Sequence, residues 1–370
     1  MALARSKYVQ DGQEGVYHCF SRCVRRAFLY GFDTLTGRDF SHRKAWLVDR
    51  LRHLATIFAM DVCAYAIMAN HYHVILRTRP DIVARWSDQE VATRWLRLFP
   101  RHRDLRGTPI PPTDKEICAL ADCPERIAQL RRRLSSLSWF MGRLNEYIAR
   151  AANKEDKVNG RFWEVRFKCQ ALLDEAAIAS SMVYVDLNPI RAGVAATPEE
   201  SDFTSIQARI RAWQKQTTTG VSMPEAQPAG DMHSGAGGKC TTAPENTAEV
   251  SPIPDRLSVW VHPSDGWLCP IQSESERRGI LQMTPAEYFD LVDRSGRMAR
   301  ADKPGAIDAG LAPILLRIGT NPDTWLDTIS HFGSKFRLAA GQVSNLREFA
   351  NRLGRRWFQG SATARVAFAS

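Results

Sequence analysis

One long polar stretch divides this chain into two unequal parts. Residues 215–257 are rich in Thr, Gly, Ser, Pro and Ala and contain few large apolar side chains. Such a segment buries too little apolar surface to fold by itself, so we predict a flexible linker there. At 370 residues, with 44% hydrophobic side chains, the chain is long enough for more than one domain. We therefore predict one domain over residues 1–214 and a second over residues 258–370.

The second predicted domain is helical. Apolar side chains recur at helical spacing after Pro285, after Trp325 and around Leu346. We find no chemistry-bearing motif in this part and expect an accessory domain.

The first predicted domain begins with a mixed pattern. Residues 15–20 are typical of a strand, and an apolar stripe from about Ser41 predicts a helix. Residues 62–68 and 71–77 are β-rich runs, separated by two residues that suit a tight turn. The order strand, helix, hairpin predicts an α+β fold, and the signals between residues 80 and 157 are helical.

The positive charge lies in the N-terminal part. Residues 1–150 hold 25 basic and 15 acidic side chains, whereas residues 151–370 hold 25 of each, so the net charge of +10 lies in the first 150 residues. A basic region of domain size is typical of a protein that binds a polyanion, most often nucleic acid. Solubility alone also tolerates such a balance.

Composition argues against several other classes of protein. The eight cysteines include no C-x-x-C pair, which argues against a disulfide framework or a structural zinc site. The first residues lack the apolar stretch of a signal peptide, and no run approaches the length of a membrane-spanning helix. We therefore expect a cytoplasmic protein without a membrane partner.

Two histidines in the predicted hairpin are candidate metal ligands. Side chains alternate across a strand, so His71 and His73 lie on one face and Tyr72 lies on the other. Two imidazoles on one strand can share a metal ion. The alternative is that both histidines only satisfy local hydrogen bonds.

A tyrosine and an asparagine lie one helical turn apart further along the chain. Asp174 suits the N-cap of a helix on which Tyr184 and Asn188 are neighbours at i and i+4. This arrangement leaves room beside them for a substrate. The alternative is a tyrosine packed at a helix end, with Asn188 capping the helix before Pro189.

Residues 160–168 interleave aromatic and basic side chains. Trp163 could stack on a base of a single strand while Arg161, Arg166 and Lys168 hold phosphates. A half-buried strand with the aromatic rings in the core explains the pattern equally well.

Taken in order, four motifs resemble those of the single-tyrosine HUH transposases, in particular the REP-associated tyrosine transposases. They are Tyr17-His18-x-x-Ser21-Arg22, Met68-x-Asn70-His71-x-His73, Phe162-Trp163-x-x-Arg166-Phe167 and Tyr184-x-x-x-Asn188-Pro189-x-Arg191-Ala192-Gly193. The resemblance runs from about residue 7 to about residue 196. It implies a ferredoxin-like antiparallel sheet with helices, the HUH nuclease core, followed by a C-terminal helical region outside that core.

The resemblance also implies roles for individual residues. His71 and His73 would bind a divalent cation, Asn188 would complete its shell, and Tyr184 would attack DNA. The middle residue of the H-x-H motif is usually aliphatic in this family, so Tyr72 is a departure. No general base is identified, and Glu164 and Asp186 are candidates by sequence proximity alone.

The resulting prediction is a metal-dependent single-stranded DNA endonuclease and strand transferase that forms a 5′-phosphotyrosine intermediate. Imidazole and amide ligands suit Mg²⁺ or Mn²⁺. We expect Arg22 to hold phosphates together with the basic residues of the 160–168 stretch. The expected partner is single-stranded DNA that forms a hairpin, and the protein would act as a monomer or a homodimer.

Two other functions remain open at this point. The same fold could serve as a DNA- or RNA-binding regulator that does not cut. The histidines could also belong to a metal-dependent hydrolase of small phosphoesters, whose turnover would not require Tyr184.

Overall fold

The computed structural model describes residues 4–24, 31–33, 37–219, 266–298 and 312–368. Most of the predicted linker, residues 220–257, and the first residues of the second predicted domain lie outside these ranges. Within them, no helix is both long enough and apolar enough to cross a membrane.

The strands and helices have the following bounds. The strands are β1 (Gly15–Arg22), β2 (Phe32–Asp33), β3 (Arg38–Asp39), β4 (Met60–Ile67), β5 (His71–Thr78), β6 (Lys168–Leu172) and β7 (Ala339–Ala340). The helices are α1 (Arg43–Ile57), α2 (Pro80–Arg85), α3 (Asp88–Leu98), α4 (Asp114–Ala121), α5 (Pro124–Leu134), α6 (Leu137–Glu155), α7 (Glu175–Asp186), α8 (Asn188–Arg191), α9 (Ser205–Thr219), α10 (Pro285–Met298), α11 (Ala312–Arg317), α12 (Trp325–Lys335), α13 (Val343–Arg352) and α14 (Ser361–Ala367).

Five of the strands form one sheet in the order β4-β5-β1-β6-β7. The first four run antiparallel to their neighbours, whereas β7 pairs with β6 in parallel. With helices covering this sheet, the predicted α+β class is confirmed.

The predicted hairpin is present as β4 and β5. The backbone N–H of Met68 donates to the carbonyl of His71 at 2.8 Å, which closes the turn through Ala69 and Asn70. The side chains of β5 alternate between the two faces of the sheet as predicted.

Different helices cover the two faces. Tyr72 reaches Asn145 of α6, so α6 lies on the Tyr72 face. Helix α1 packs beside α6 and buries its stripe, Leu47, Leu51 and Leu54, completely. The ring of His73, on the opposite face, contacts Tyr184 of α7. The candidate site therefore lies between the sheet and α7.

The described part of the C-terminal region packs on this sheet. Strand β7 extends the sheet beyond β6, and the side chain of Arg77 in β5 donates to the carbonyls of Arg278 and Gly279. One hydrophobic cluster contains side chains from both predicted domains. The two regions thus share one sheet and one core in the part of the chain that is described.

The first residues of the predicted linker lie in a helix. Residues 215–219 belong to α9, which ends at Thr219. No proline or glycine interrupts the helix before Gly220, so the change in composition begins before the helix ends.

Candidate functional site

Neighbouring strands place a group of polar side chains on one face of the sheet. In β1, His18, Phe20 and Arg22 alternate with core residues. The strand register sets Arg22 opposite His71 and Phe20 opposite His73. On the other side of β1, Gln170 lies opposite His18 and Lys168 opposite Phe20. This pairing concentrates imidazole, amide and basic groups at one place.

His71 and His73 lie side by side, as their spacing predicts. Their ring centroids are 5.0 Å apart and the rings meet edge to face. His73 is 5% exposed, and burial first, then the neighbouring His18 and His71, lowers its pKa well below the ordinary value. Burial, with a smaller contribution from Arg22, lowers the pKa of His71 to about 4. Both imidazoles are therefore neutral at pH 7, the form that binds a cation or accepts a proton.

A third histidine, His18, joins this pair. Its Nε2 is 2.9 Å from Nδ1 of His73, and its Nδ1 is 3.4 Å from Oε1 of Gln170. His18 is fully enclosed, and burial lowers its pKa to about 4. The site thus holds three neutral imidazoles.

Tyr184 reaches the histidines from α7. The Asp174 carboxylate accepts a hydrogen bond from the Ala177 N–H at 3.0 Å and begins this helix, as predicted. The half-buried Tyr184 ring lies edge-on to both His73 and His18, with centroid distances of 5.6 and 5.9 Å. The structure therefore brings a phenol next to imidazoles that lie more than a hundred positions away in the chain.

Arg191 and helix α12 border the other side of Tyr184. The Arg191 guanidinium lies 5.0 Å from the centre of the Tyr184 ring. Burial raises the pKa of the Tyr184 phenol, and the charge of Arg191 acts in the opposite direction. The same guanidinium donates to the carbonyls of Ile329 and Ser330 in α12.

Gly333 of α12 approaches the Tyr184 hydroxyl closely. A methyl group added at this glycine would lie 3.1 Å from the hydroxyl oxygen, closer than an ordinary contact. The C-terminal region therefore covers part of the tyrosine.

The Asn188 side chain, at the start of α8, is turned back toward the end of α7. Its Nδ2 donates to the carbonyl of Tyr184 at 2.9 Å, so the amide caps the end of α7. This contact matches the capping alternative. The amide oxygen is the atom that a cation would need, and its role as a ligand stays a prediction.

His71 and His73 are the side chains of this site that could hold a cation. His71 and His73 are neutral and share a face, which suits a divalent ion whose other positions are taken by water and phosphate. No group of three or more His, Cys, Asp or Glu side chains within the described ranges is arranged to hold a metal ion. A complete shell would therefore need an amide or a substrate oxygen.

The predicted phosphate-binding residues are exposed, whereas Trp163 is not. Arg22, Arg161, Arg166 and Lys168 have exposed side chains, and Arg22 and Lys168 flank the histidines through the strand pairing. Trp163 is 9% exposed and its Nε1–H donates to the carbonyl of Asn145. The expectation that Trp163 stacks on a base disagrees with this placement, because the core already uses its ring and its N–H.

Asp186 faces away from Tyr184 and is not a base for it. Its carboxylate is fully buried and accepts hydrogen bonds from Ser205, the N–H of Ile206 and the hydroxyl of Tyr288. Burial raises its pKa to about 6. The other candidate, Glu164, is exposed.

Comparisons with known proteins add little to this geometry. Neither the family models nor the curated proteins include a match. A search of solved structures finds a chain described as the structure of a REP-associated tyrosine transposase bound to a REP hairpin. The two chains are 13% identical, the match covers 63% of this chain and 95% of that one, and the TM-score is 0.33. This likeness is too low to carry an argument about fold or function.

Sequence reasoning gave no role to His18, Gln170 or Gly333. His18 lies in the first of the four sequence motifs, and its alternation with Phe20 and Arg22 could have placed it on the same face of the sheet as His71 and His73. Gln170 required the register between β1 and β6, which no local pattern encodes. Gly333 lies in the region predicted to be accessory.

Proposed function

We propose that this chain is a metal-dependent single-stranded DNA endonuclease and strand transferase in which Tyr184 is the nucleophile. The observation that carries the proposal is the convergence of Tyr184, His71 and His73 on one face of the sheet. The Tyr184 ring is in contact with that of His73, which in turn contacts His71. A phenol beside neutral imidazoles and an arginine suits attack on a phosphodiester.

The strand order supports the same proposal. Within the sheet, β4-β5-β1-β6 is the order of a ferredoxin-like sandwich. Counted along the chain, β1 and β5 are the first and third of these four strands, and they lie at the centre. The HUH core that the sequence motifs imply has this arrangement.

The proposed reaction is an in-line displacement at phosphorus. The phenolic oxygen of Tyr184 forms a bond to the scissile phosphorus, and the bond between phosphorus and the 3′-oxygen breaks. The tyrosine gives up its proton to solvent or a base, and the leaving 3′-oxygen takes up a proton. The products are a 5′-phosphotyrosine and a free 3′-hydroxyl, and the retained ester lets a second 3′-hydroxyl reverse the step.

The residues around Tyr184 have separate tasks in this proposal. Arg191 favours the phenolate by its charge, against the effect of burial. His71 and His73 would hold a Mg²⁺ or Mn²⁺ ion, with Asn188 as a third ligand if its amide turns away from the helix end. When bound, the ion neutralises charge on the scissile phosphate and aligns it.

The DNA strand would enter past the exposed basic groups. Arg22 and Lys168 lie at the edge of the histidine cluster, and Arg161 and Arg166 lie on the segment before β6. Contacts of this kind with phosphates predict an affinity that falls steeply with salt concentration. The proposed substrate is a hairpin-forming single strand, bound by a monomer or a homodimer.

A covalent-adduct assay tests the proposal. The full chain is incubated with labelled hairpin-bearing single strands and Mn²⁺, and the label is followed on a denaturing protein gel. We expect an adduct with the unaltered protein and none with Tyr184→Phe. Tyr72→Phe is the matched control, because it removes a hydroxyl from the opposite face and should keep the adduct. Tight binding without any adduct would overturn the proposal.

That contradictory outcome defines the second candidate function, a nucleic-acid-binding regulator that does not cut. The close approach of Gly333 to the Tyr184 hydroxyl favours it, because α12 takes up part of the space beside the nucleophile. A metal-dependent phosphoesterase, in contrast, would keep its turnover in Tyr184→Phe and lose it in His73→Ala.

A further inference from the structure

A line of hydrogen bonds runs through the interior and ends at His73. It begins at the carbonyl of Phe336, which accepts from Nε2 of Gln170 at 2.5 Å. Oε1 of Gln170 then faces Nδ1 of His18 at 3.4 Å, and Nε2 of His18 faces Nδ1 of His73 at 2.9 Å. His18 is 1%, Gln170 2% and His73 5% exposed, so water does not compete for these groups.

The carbonyl of Phe336, which can only accept, favours one direction for the bonds in the line. A backbone carbonyl only accepts, so the amide nitrogen of Gln170 faces Phe336 and the amide oxygen faces His18. That oxygen also only accepts, so His18 carries its proton on Nδ1. Both ring nitrogens of His18 meet neutral groups, and a buried imidazolium there would lack a counter-charge. The neutral ring therefore has a lone pair on Nε2, which must accept from Nδ1–H of His73.

We propose that His18 and Gln170 are positioning residues that hold His73 in the Nδ1–H tautomer and leave its Nε2 as an open acceptor. Only one ring nitrogen of a neutral imidazole carries a lone pair, so the line decides which nitrogen of His73 acts. The chemical use of that nitrogen, for a cation or for a proton, rests on the function proposed above, which this inference deepens. The tautomer itself does not depend on that function.

The C-terminal region contributes one hydrogen-bond acceptor to this line, the carbonyl of Phe336. Phe336 directly follows α12 and lies outside the stretch that carries the sequence motifs. Its carbonyl is the one group in the line whose hydrogen-bonding role cannot change. The region predicted to be accessory thus sets the orientation of the Gln170 amide, and through it the tautomer of His73.

Nitrogen NMR of the full-length protein tests the inference directly. Histidine labelled with ¹⁵N distinguishes protonated from unprotonated ring nitrogens through two-bond correlations to the ring hydrogens. The His73 signals are assigned by their loss in His73→Gln. We expect protonated Nδ1 and unprotonated Nε2 at pH 7.5 without added metal. A proton on Nε2 in the unaltered protein would overturn the inference without the need for any variant.

Two substitutions at position 18 separate positioning from packing. His18→Phe keeps the ring but removes the acceptor, so His73 should shift to a mixture of tautomers. His18→Gln replaces Nε2 by an amide oxygen and should restore the Nδ1–H form. His102→Gln, on an exposed loop, is the control and should leave the His73 spectrum unchanged. An unchanged spectrum in His18→Phe would contradict the positioning role.

Activity gives a second readout of the same pair. Loss of an outer partner of a site histidine typically costs about 10- to 100-fold, so His18→Phe should slow adduct formation by that factor and His18→Gln should recover most of it. If no adduct forms in any variant while the tautomer behaves as expected, the proposed function fails and this inference stands. If an adduct forms while Nε2 of His73 carries the proton, the proposed function stands and this inference fails.

Discussion

Tyr72 and His73 are neighbours in β5, yet they lie in very different surroundings. On one face of the sheet, the Tyr72 hydroxyl donates to Oδ1 of Asn145 at 2.7 Å, and the amide of Asn145 donates to Ser21 at 3.1 Å. On the other face, His73 lies among imidazoles and next to the half-buried Tyr184. The same strands therefore carry two polar groups with different properties.

The two faces differ in whether each polar atom already has a hydrogen-bond partner inside the protein. On the Tyr72 face, each polar atom of the Tyr72-Asn145-Ser21 group is paired inside the protein, which contributes to stability. On the His73 face, the hydrogen-bond line uses one nitrogen of His73 and leaves the other as an acceptor. Substitutions on the first face should thus affect folding, and substitutions on the second should affect chemistry.

The largest expected effect is on the site face. His71→Ala should reduce adduct formation by about 100-fold or more, the scale of loss when a group that stabilises developing charge is removed. His71 is only partly buried, so the free energy of unfolding should change by less than about 1 kcal/mol. Labelled-adduct rates and urea unfolding measure the two quantities. An equal loss in His102→Ala, which alters an exposed histidine, would show that the effect is not specific to the site.

Helix α7 repeats the contrast, since Tyr184 lies on its half-buried side and Asp186 on its fully buried side. The folded-state pKa of Asp186, about 6, is above its ordinary 3.8. The folded protein therefore binds the proton of the Asp186 carboxyl more tightly than the unfolded chain does. The stability that this protonation contributes is lost as the pH rises from about 4 to about 6.

Two pKa units correspond to about 3 kcal/mol. The stability of the unaltered protein relative to Asp186→Asn should thus fall by up to about 3 kcal/mol between pH 4 and pH 7, measured by urea unfolding. Taking the difference between the two proteins removes the opposite contribution of the buried histidines. A difference that rises with pH would contradict the assignment.

Removing the hydroxyl of Tyr72 should change the free energy of unfolding more than removing the hydroxyl of Tyr184. Tyr72→Phe leaves Oδ1 of the partly buried Asn145 without its donor and should lower the free energy of unfolding by about 1–3 kcal/mol. Tyr184→Phe removes a half-buried hydroxyl and should change it by less than about 1 kcal/mol. Urea denaturation of both variants at one pH is sufficient. The reverse ranking would mean that the Tyr184 hydroxyl is a structural group.

The smallest expected effect concerns salt. If Arg22 contacts one phosphate, Arg22→Gln should reduce the slope of log affinity against log salt by about 0.7, the value for one contact with a single strand. Titrations of a fluorescent hairpin at several salt concentrations give the slope. Arg365→Gln, an exposed arginine of α14, should leave it unchanged. Equal slopes for Arg22→Gln and the unaltered protein would remove Arg22 from the DNA path.

The sequence predicts those parts of the site that depend on one element. The alternation of a strand places His71 and His73 together and Tyr72 opposite, and the N-cap at Asp174 marks the start of α7. Each of these features requires only local geometry, because a period of two or a capping side chain acts within a few residues.

The remaining features depend on pairing between distant segments. Gln170 meets His18 only through the register of β1 with β6, and Trp163 is buried because Tyr72 and Asn145 accommodate it. The cover over Tyr184 comes from α12, beyond the predicted linker. Register and long-range packing are fixed by the whole core, so no local pattern could have supplied them.

Peptide mapping of the covalent product tests the central claim most directly. After incubation with the hairpin single strand and Mn²⁺, the DNA is trimmed with a nuclease, the protein is digested, and fragmentation spectra locate the modified residue. We predict a 5′-linked nucleotide on the hydroxyl of Tyr184. A nucleotide on Tyr72 or on any other residue, or a cleaved strand with no modified peptide, would contradict the account.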